Sequence, residues 1–408
     1  MRRAADDRRR SREREKPVTH PPRLLKLPLA FLAAALTIEL LDELVDGVTG
    51  AAWPLVRHDL SLSYLEVGLL LGLPALLANL VEPVLGVLAD FGYRRALVLG
   101  GGLVFAASLA LFAGAGGFWP LLAALGLFYP ASGAFVSLTQ AALMDAEPSR
   151  REQNMARWSL AGSVGNVVGP LLVGLALTLG LGWRPVYGWL AALTGVALVV
   201  AWRSPAALAS QPAVPLEWRG TVRGLWAALR RGEVWQALLL LEAANLMLDV
   251  LRGFLALYFV DTVGTTPGMG GLAVAVFTGV GLVGDVLVLP LLERVPGVRY
   301  LRLSALVTAA VFPAFLLAPQ VIAKLALLGL LGLLNAGWYA VLQARLYASL
   351  PERSGTVMAL GSVAGMVGGA VPLLLGAVAE RFGLETALWC LLAGPLALLV
   401  GLPRLRPG

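Results

Sequence analysis

Acidic side chains stand inside the apolar segments of this sequence, where they could bind and release protons. The first apolar segment contains four of them, spaced i, i+3, i+4 and i+7: Glu39, Asp42, Glu43 and Asp46. In an α-helix this spacing places all four carboxylates on one face, here called the acidic stripe. A medium of low dielectric favours the neutral form of a carboxylic acid, so buried acids can titrate near physiological pH. Asp46, Glu39 and Glu82 are the leading candidates for proton coupling.

The acidic stripe has to face water or polar partners, because a charged residue near the centre of a bilayer costs roughly 2.5 to 3.5 kcal/mol on insertion scales. It therefore predicts a wet cavity inside a helical bundle. For any single acid an alternative stays open, in which it makes an interhelical hydrogen bond or ion pair that only holds the bundle together.

The acids recur at a fixed distance along the chain. A shift of 203 residues superimposes four acidic positions of the first half on four of the second: Glu39 on Glu242, Asp46 on Asp249, Glu82 on Asp285 and Asp90 on Glu293. The same register also superimposes Gln140 on Gln343. An internal repeat of this length indicates two copies of one hydrophobic bundle, with a site between them, as in membrane transporters.

The elements that position these acids must be transmembrane helices. Hydrophobic residues make up 58% of the 408 residues and charged residues 14%, and the mean hydropathy is +0.78. Water-soluble domains are much less apolar. Twelve apolar runs are long enough to cross about 30 Å of hydrocarbon, six in each repeat. The sequence thus predicts an all-α polytopic membrane protein of about twelve transmembrane helices in two six-helix repeats.

The composition divides the chain into four parts. We expect a disordered basic cytoplasmic tail over residues 1–26, a six-helix bundle over 27–203, a cytoplasmic linker over 204–233 and a second bundle over 234–408. Apolar residues of the linker share one helical face, which predicts an amphipathic helix on the membrane surface, with a partly ordered linker as the alternative. Lys and Arg cluster on one side of the helices, so both termini should be cytoplasmic in a multi-pass cell-membrane protein.

Further polar residues fall at depths where they could line the cavity. In the second half, Glu242, Asp249 and Asp285 repeat the acids of the first. The candidate substrate contacts are polar, aromatic or basic: Asn79, Tyr129, Gln140, Asn245, Arg252, Gln343 and Arg345. Arg252 could pair with Asp249 or Asp285, which we favour, or remain free to bind an anionic group of the substrate.

Other classes of function find little support in the residues. The chain has two histidines and one cysteine, Cys390. The sequence shows no H-E-x-x-H motif, no plausible Ser/His pair and no phosphate-binding loop, so we expect neither an enzyme nor a cofactor or metal centre. The net charge of +7 reflects the orientation of the helices and does not indicate nucleic acid. The expected partners are a small-molecule substrate, protons or another coupling ion, and the lipid bilayer, with the chain acting as a monomer.

A loop after the second apolar run carries a family resemblance. It reads Gly86-Val-Leu-Ala-Asp90-Phe-Gly-Tyr-Arg94-Arg95. This resembles the signature loop of the major facilitator superfamily of secondary transporters, although Phe91 stands where a basic residue is usual and Gly92 comes one position early. The resemblance implies the twelve-helix major facilitator fold. It also implies a gate function for Gly86, Asp90, Arg94 and Arg95.

The fifth apolar run carries a second, looser resemblance. Its Gly165, Gly169 and Pro170 are similar to the G-x-x-x-G-P element of proton-coupled exporters in the superfamily. The acidic first run and the Phe128-Tyr129-Pro130 segment are weakly similar to the fosmidomycin-resistance type of exporter. An arginine that drug antiporters often carry in the fourth helix is absent from this sequence. The resemblance implies a proton antiporter that exports a drug or metabolite.

Three functions remain open at this stage. The first is proton-coupled export of a small organic molecule by alternating access. The second is proton- or sodium-coupled import of a sugar or metabolite, since the same carboxylates serve either direction. A divalent-cation exporter is a third, because carboxylates are hard ligands. The substrate, the direction and the coupling ion are not determined by the sequence.

Overall fold

The computed structural model describes residues 29–146, 151–203, 230–349 and 354–402, and in this part of the chain all regular elements are helices. The expected tail over residues 1–26 and the expected amphipathic helix of the linker lie outside the described residues. The first bundle consists of six helical segments: α1 (Leu29–Asp59), α2 (Tyr64–Leu88), α3 (Arg94–Ala113), α4 (118–146), α5 (Arg151–Thr178) and α6 (Trp183–Trp202). The second bundle consists of six more: α7 (232–262), α8 (Pro267–Leu292), α9 (Gly297–Leu317), α10 (321–349), α11 (Ser354–Phe382) and α12 (384–401).

Ten helices in the described residues are long and apolar enough to cross a membrane. The other two long segments are α1 and α7, which contain most of the intramembrane acids. The expected all-α polytopic membrane fold with twelve helical segments is therefore confirmed. The helix starts follow local signals, since Ser63 and Glu66 form a reciprocal capping box at the start of α2.

Helices α4, α7 and α10 depart from regular α geometry near the middle of their lengths. α4 contains a π-helical turn at Gly133–Ser137, and α7 contains another at Leu246–Val250. α10 is interrupted at Ala336 and Gly337, where Gly337 takes a positive φ of 69°. Glycine adopts this conformation without the steric cost that a side chain adds.

The two bundles contact each other through glycines of α2 and α11. A Cβ atom at Gly68 would lie 2.5 Å from the carbonyl oxygen of Pro372, and one at Gly376 would lie 2.6 Å from the carbonyl oxygen of Tyr64. Side chains larger than hydrogen would therefore separate these helices. On the other side of the interface α5 packs against α8, where a Cβ atom at Gly271 would lie 3.4 Å from the carbonyl oxygen of Pro170.

Polar contacts also join the two bundles at the end of the protein that contains Arg57, which we call the Arg57 end. The guanidinium of Arg57 donates to Asp261 at 2.9 Å, and the hydroxyl of Tyr64 donates to the same carboxylate at 3.0 Å. The backbone N–H of Tyr64 donates to Glu380 at 2.8 Å. The signature loop with Asp90 lies at the opposite end, here called the Asp90 end, because α2 runs from one end of the bundle to the other.

Candidate functional site

A cavity of about 530 Å³ lies between the two bundles, lined by α1, α2, α4, α7 and α11. At the Arg57 end it is covered by Trp53 and Phe254, which are each 1% exposed. A ligand would therefore enter from the Asp90 end. Nine of the predicted site residues line this cavity: Asp42, Asp46, Asn79, Glu82, Tyr129, Glu242, Asn245, Asp249 and Arg252.

Arg252 of α7 forms the centre of a charged network in this cavity. Its Nη2 lies 2.6 Å from Asp46 Oδ2 of α1 and 3.0 Å from Asp249 Oδ1. Its Nη1 donates to Asn166 Oδ1 of α5 at 2.6 Å. The sequence left Asp249 and Asp285 open as partners; Arg252 pairs with Asp249 and, in addition, with Asp46 across the interface between the bundles.

The rest of the acidic stripe is held by neighbouring polar side chains. The Nδ2 group of Asn166 donates to Glu43 Oε2 at 2.5 Å, and Ser132 Oγ donates to Asp42 Oδ1 at 2.8 Å. Glu43 also lines the cavity. Carboxylates of α1 thus accept hydrogen bonds from α4 and α5. Such partners are expected, because a buried charge without hydrogen bonds is energetically costly.

Glu43 and Asn166 are functional candidates that the predicted site did not include. Glu43 belongs to the acidic stripe, but the spacing alone gave it no separate role. Asn166 lies on the same face of α5 as Gly162 and Gly169. That shared face contacts α1, and the spacing was the available signal.

Glycines bring α5 against the acidic stripe. A Cβ atom at Gly165 would lie 2.6 Å from the carbonyl oxygen of Leu40, and one at Gly169 would lie 2.6 Å from the backbone nitrogen of Val48. Pro170 follows directly and lies inside α5. This close approach allows the short side chain of Asn166 to reach between α1 and α7.

Glu39 lies outside the cavity, buried between α1 and α5. It is 7% exposed, and a Cβ atom at Gly162 would lie 2.5 Å from its Oε1. The repeat has the same arrangement, because Glu242 of α7 packs against Gly368 of α11. Glu242 differs in that it also lines the cavity. The 203-residue shift relates the two acids, but it relates Gly162 to Gly365 and not to Gly368, so the glycine that each acid contacts differs between the bundles.

Glu82 and Asp285 occupy equivalent positions but have different surroundings. Glu82 lines the cavity beside Gly133, where the π-helical turn of α4 begins. Asp285 does not line it; its Oδ1 accepts a hydrogen bond from the backbone N–H of Gly337 at 2.9 Å. Asp285 thus caps the second part of the interrupted helix α10. The prediction that Asp285 lines the cavity is wrong, because the break in α10 exposes the N–H of Gly337 and this group binds the carboxylate instead.

Three further candidates also lie outside the cavity. The side-chain amide of Gln140 contacts the sulfur of Met155 at 3.7 Å. Gln343 and Arg345 lie in the second part of α10, and neither lines the cavity. The repeat places the two glutamines on matching helices, α4 and α10, but neither glutamine lines the cavity.

The signature loop forms a tight connection between α2 and α3. Ala89–Tyr93 is a π-helical turn in which Gly92 has a positive φ of 95°. Gly86 lies in the last turn of α2, and Asp90 lies within the loop. Arg94 is buried at the start of α3, and Arg95 donates to the carbonyl oxygen of Trp202 at 3.4 Å. The early position of Gly92 coincides with the residue that needs a positive φ.

Comparison with known families decides the class of this fold. Residues 35–372 match the sequence profile described as the Major Facilitator Superfamily. The chain belongs to this superfamily. A match over most of the chain agrees with the all-helical multi-pass fold, and it indicates a transporter rather than an enzyme.

Solved structures of the Major Facilitator Superfamily share the fold. A bacterial homologue of the human lysosomal transporter Spinster, in an inward-facing and occupied conformation, is 16% identical with a TM-score of 0.71, over 91% of this chain and 94% of that one. The nucleoside transporter NupG is 12% identical with a TM-score of 0.72, over 91% and 97%. The POT family transporter PepTSo is 13% identical with a TM-score of 0.74, over 92% and 96%. No curated protein matches the chain significantly.

Proposed function

We propose that this chain is a secondary transporter that exports a small organic molecule in exchange for protons by alternating access. The observation that carries the proposal is the ion pair of Asp46 and Arg252, which joins the two bundles inside the cavity at 2.6 Å. A charged contact between moving parts at the binding site provides a direct way to couple proton binding to conformation.

The coupling step follows from the charge of Asp46. Protonation of this carboxylate removes the negative charge that Arg252 contacts across the interface, while Asp249 remains its partner within α7. The link between the bundles then weakens, and the protein can change between its two orientations. Glu39, Asp42, Glu82 and Glu242 are the further acids that we propose as proton carriers, and Asn79, Tyr129 and Asn245 as substrate contacts.

The conformation described here is the inward-facing one in this proposal. The bundles are in contact at the Arg57 end through α2 and α11, and the basic residues that predict the cytoplasmic side cluster at the Asp90 end. Opening toward the outside requires loss of the Arg57 contacts and closure of the Asp90 end. We propose that Asp90, Arg94 and Arg95 form contacts in that closed state.

The α5 element favours export over import. Gly165, Gly169 and Pro170 hold Asn166 between Glu43 and Arg252, so the element that resembles proton-coupled exporters takes part in the charged network itself. A divalent-cation exporter is disfavoured, because in the described residues no group of three His, Cys, Asp or Glu side chains is arranged to hold a metal ion.

The proposal is tested in inverted membrane vesicles that carry a pH gradient reported by a dye. Organic cations, neutral metabolites, sugars and anions are added one class at a time. Proton antiport predicts that one class dissipates the gradient in wild-type vesicles and not in Asp46→Asn vesicles. If no class does so while whole cells accumulate a radiolabelled solute with protons, the protein is a symporter and the proposal is wrong about direction.

A further inference from the structure

The charges on the cavity wall are strongly unequal. Six carboxylates and one guanidinium belong to the described lining: Asp42, Glu43, Asp46, Glu82, Glu242, Asp249 and Arg252. The single guanidinium already has acidic partners. The cavity therefore presents an excess of negative charge, or of acids able to carry it, to whatever enters.

Arg252 is poorly placed to receive an anion. Its side chain is 19% exposed, and its two terminal nitrogens are engaged by Asp46, Asp249 and Asn166. An anionic ligand would have to separate the guanidinium from two carboxylates and would then lie beside them. Like charges brought together in a partly buried site are strongly unfavourable.

Asp46, by contrast, remains accessible from the cavity. Its side chain is 43% exposed although one oxygen contacts Arg252, and the side chain of Asp249 is 66% exposed. A cationic group of a ligand can therefore reach Asp46 directly. Because Arg252 is itself a cation in contact with Asp46, it occupies the position that such a group would take.

Two buried polar atoms beside the cavity have no hydrogen-bond partner among the described residues. One is the acceptor Glu242 Oε2, and the other is the indole N–H of Trp53. Buried polar groups are normally paired, and an unpaired one costs about 1 to 3 kcal/mol. A ligand with N–H donors and one acceptor, or closure of the cavity around it, would provide the missing partners.

The rest of the lining fits an aromatic or apolar body. Trp53, Phe128, Tyr129 and Phe254 line the cavity together. Its volume of about 530 Å³ lies within the range of sites that bind drug-sized molecules. Aromatic faces also attract ammonium groups through cation–π interactions.

We propose that the substrate is an organic ammonium ion with an aromatic or apolar body, whose positive charge binds Asp46 in place of Arg252. Arg252 is then a built-in cation that neutralises Asp46 when the cavity is empty and is displaced when the substrate binds. The inference rests on the proposed transport function only in treating this cavity as the substrate site.

The test is a binding measurement by calorimetry on the full-length protein in lipid nanodiscs, without any proton gradient. Three probes share one skeleton and differ in charge: diphenylpropylamine, which is protonated at neutral pH, diphenylpropanol and diphenylpropanoate. The wild-type protein should bind the amine at least about tenfold more tightly than the alcohol, as one desolvated ion pair allows, and the carboxylate more weakly still.

Two substitutions should change the affinity for the amine in opposite directions. Asp46→Asn should lower it at least about tenfold, because the ammonium loses its counter-ion, and Arg252→Gln should raise it about tenfold, because its competitor is gone. The exposed Glu293→Gln and Arg299→Gln should leave it unchanged. The unfolding temperature of each variant reports folding, and the gain expected for Arg252→Gln cannot arise from misfolding.

Three results would overturn the inference: equal affinity for amine and alcohol, tighter binding of the carboxylate that is lost in Arg252→Gln, or binding of none of the three probes. These results are separable from failure of the proposed transport. Proton-coupled transport of a neutral or anionic solute in vesicles would leave the proposed function intact and remove only the ammonium assignment.

Discussion

Arg57 of the first bundle and Asp261 of the second form an ion pair of 2.9 Å at the closed end of the cavity, and the aromatic ring of Tyr64 lies 4.1 Å below the same guanidinium. The hydroxyl of Tyr64 also donates to Asp261. Both side chains of the pair are largely covered, with exposures of 28% and 20%. These contacts hold the bundles together at the end that opens, in the proposed transport cycle, for release to the outside.

Asp261→Asn should shift the protein toward the state that is open at the Arg57 end. A partly exposed ion pair contributes on the order of 1 kcal/mol, which corresponds to about a fivefold change in population. Distances between spin labels placed on the two bundles at this end, in a background without Cys390, should show the change. Asp59→Asn is the control, because Asp59 pairs with Arg184 within the first bundle. An equal shift in both variants would contradict a gate function.

Gly165→Ala should destabilise the contact of α1 with α5. The added methyl carbon would lie 2.6 Å from the carbonyl oxygen of Leu40, which is backbone and cannot move aside. Overpacking of this kind costs typically 1 to 3 kcal/mol. Gly174→Ala is the matched control on the same helix, since no atom lies within 4 Å of the added carbon. Thermal unfolding in detergent should be lowered only by the first, and equal unfolding temperatures would argue against the close approach.

Gly92→Ala should impair the signature loop, whereas Gly86→Ala should be tolerated. Gly92 has a φ of 95°, where a side chain adds strain of about 1 to 2 kcal/mol, and Gly86 lies in a regular helix with open space around it. Both glycines belong to the motif that resembles the family signature. Initial transport rates and unfolding temperatures compare the two variants, and a larger effect at Gly86 would reverse the assignment.

Glu82→Gln and Asp285→Asn should differ, although the two acids are equivalent in the repeat. The first removes a cavity acid and should reduce proton-coupled transport, while the second changes a helix cap outside the cavity and should leave coupling intact. Asp285→Ala should lower stability by about 1 kcal/mol, the usual contribution of one hydrogen bond. Coupling ratios of solute to protons test this pair, and a loss of coupling in Asp285→Asn would show that the repeat predicts function better than the cavity does.

The sequence predicted much of this arrangement because regular helices preserve spacing. The period of 3.6 residues placed Asp42, Glu43 and Asp46 on one face, and the structure brings these three to the same cavity. The shift of 203 residues related Glu39 to Glu242, and each of these acids packs against a glycine of a neighbouring helix, Gly162 and Gly368 respectively. Both arguments need only helix geometry and duplication.

Other features depend on how helices cross, which spacing along one chain does not contain. The pairing of Asp46 with Arg252 depends on the distance between α1 and α7. The different environments of Glu82 and Asp285 arise because α10 is interrupted at Gly337, whereas α4 continues through a π-helical turn at Gly133–Ser137. Gly133 of α4 and Gly337 of α10 stand at positions that the 203-residue shift does not make equivalent. Packing in the folded protein decides that α10 is interrupted at its glycine and α4 is not.

The most direct test of proton coupling at Asp46 is the number of protons released when a transported solute binds. The purified protein in weakly buffered solution is mixed with a solute identified in the vesicle assay, and a pH indicator follows the change. At an acidic pH, where protonated Asp46 is no longer paired with Arg252, we predict release of protons from the wild type and from Glu293→Gln, and release of fewer protons from Asp46→Asn. Equal release from the wild type and Asp46→Asn would contradict the assignment of Asp46 as the proton carrier.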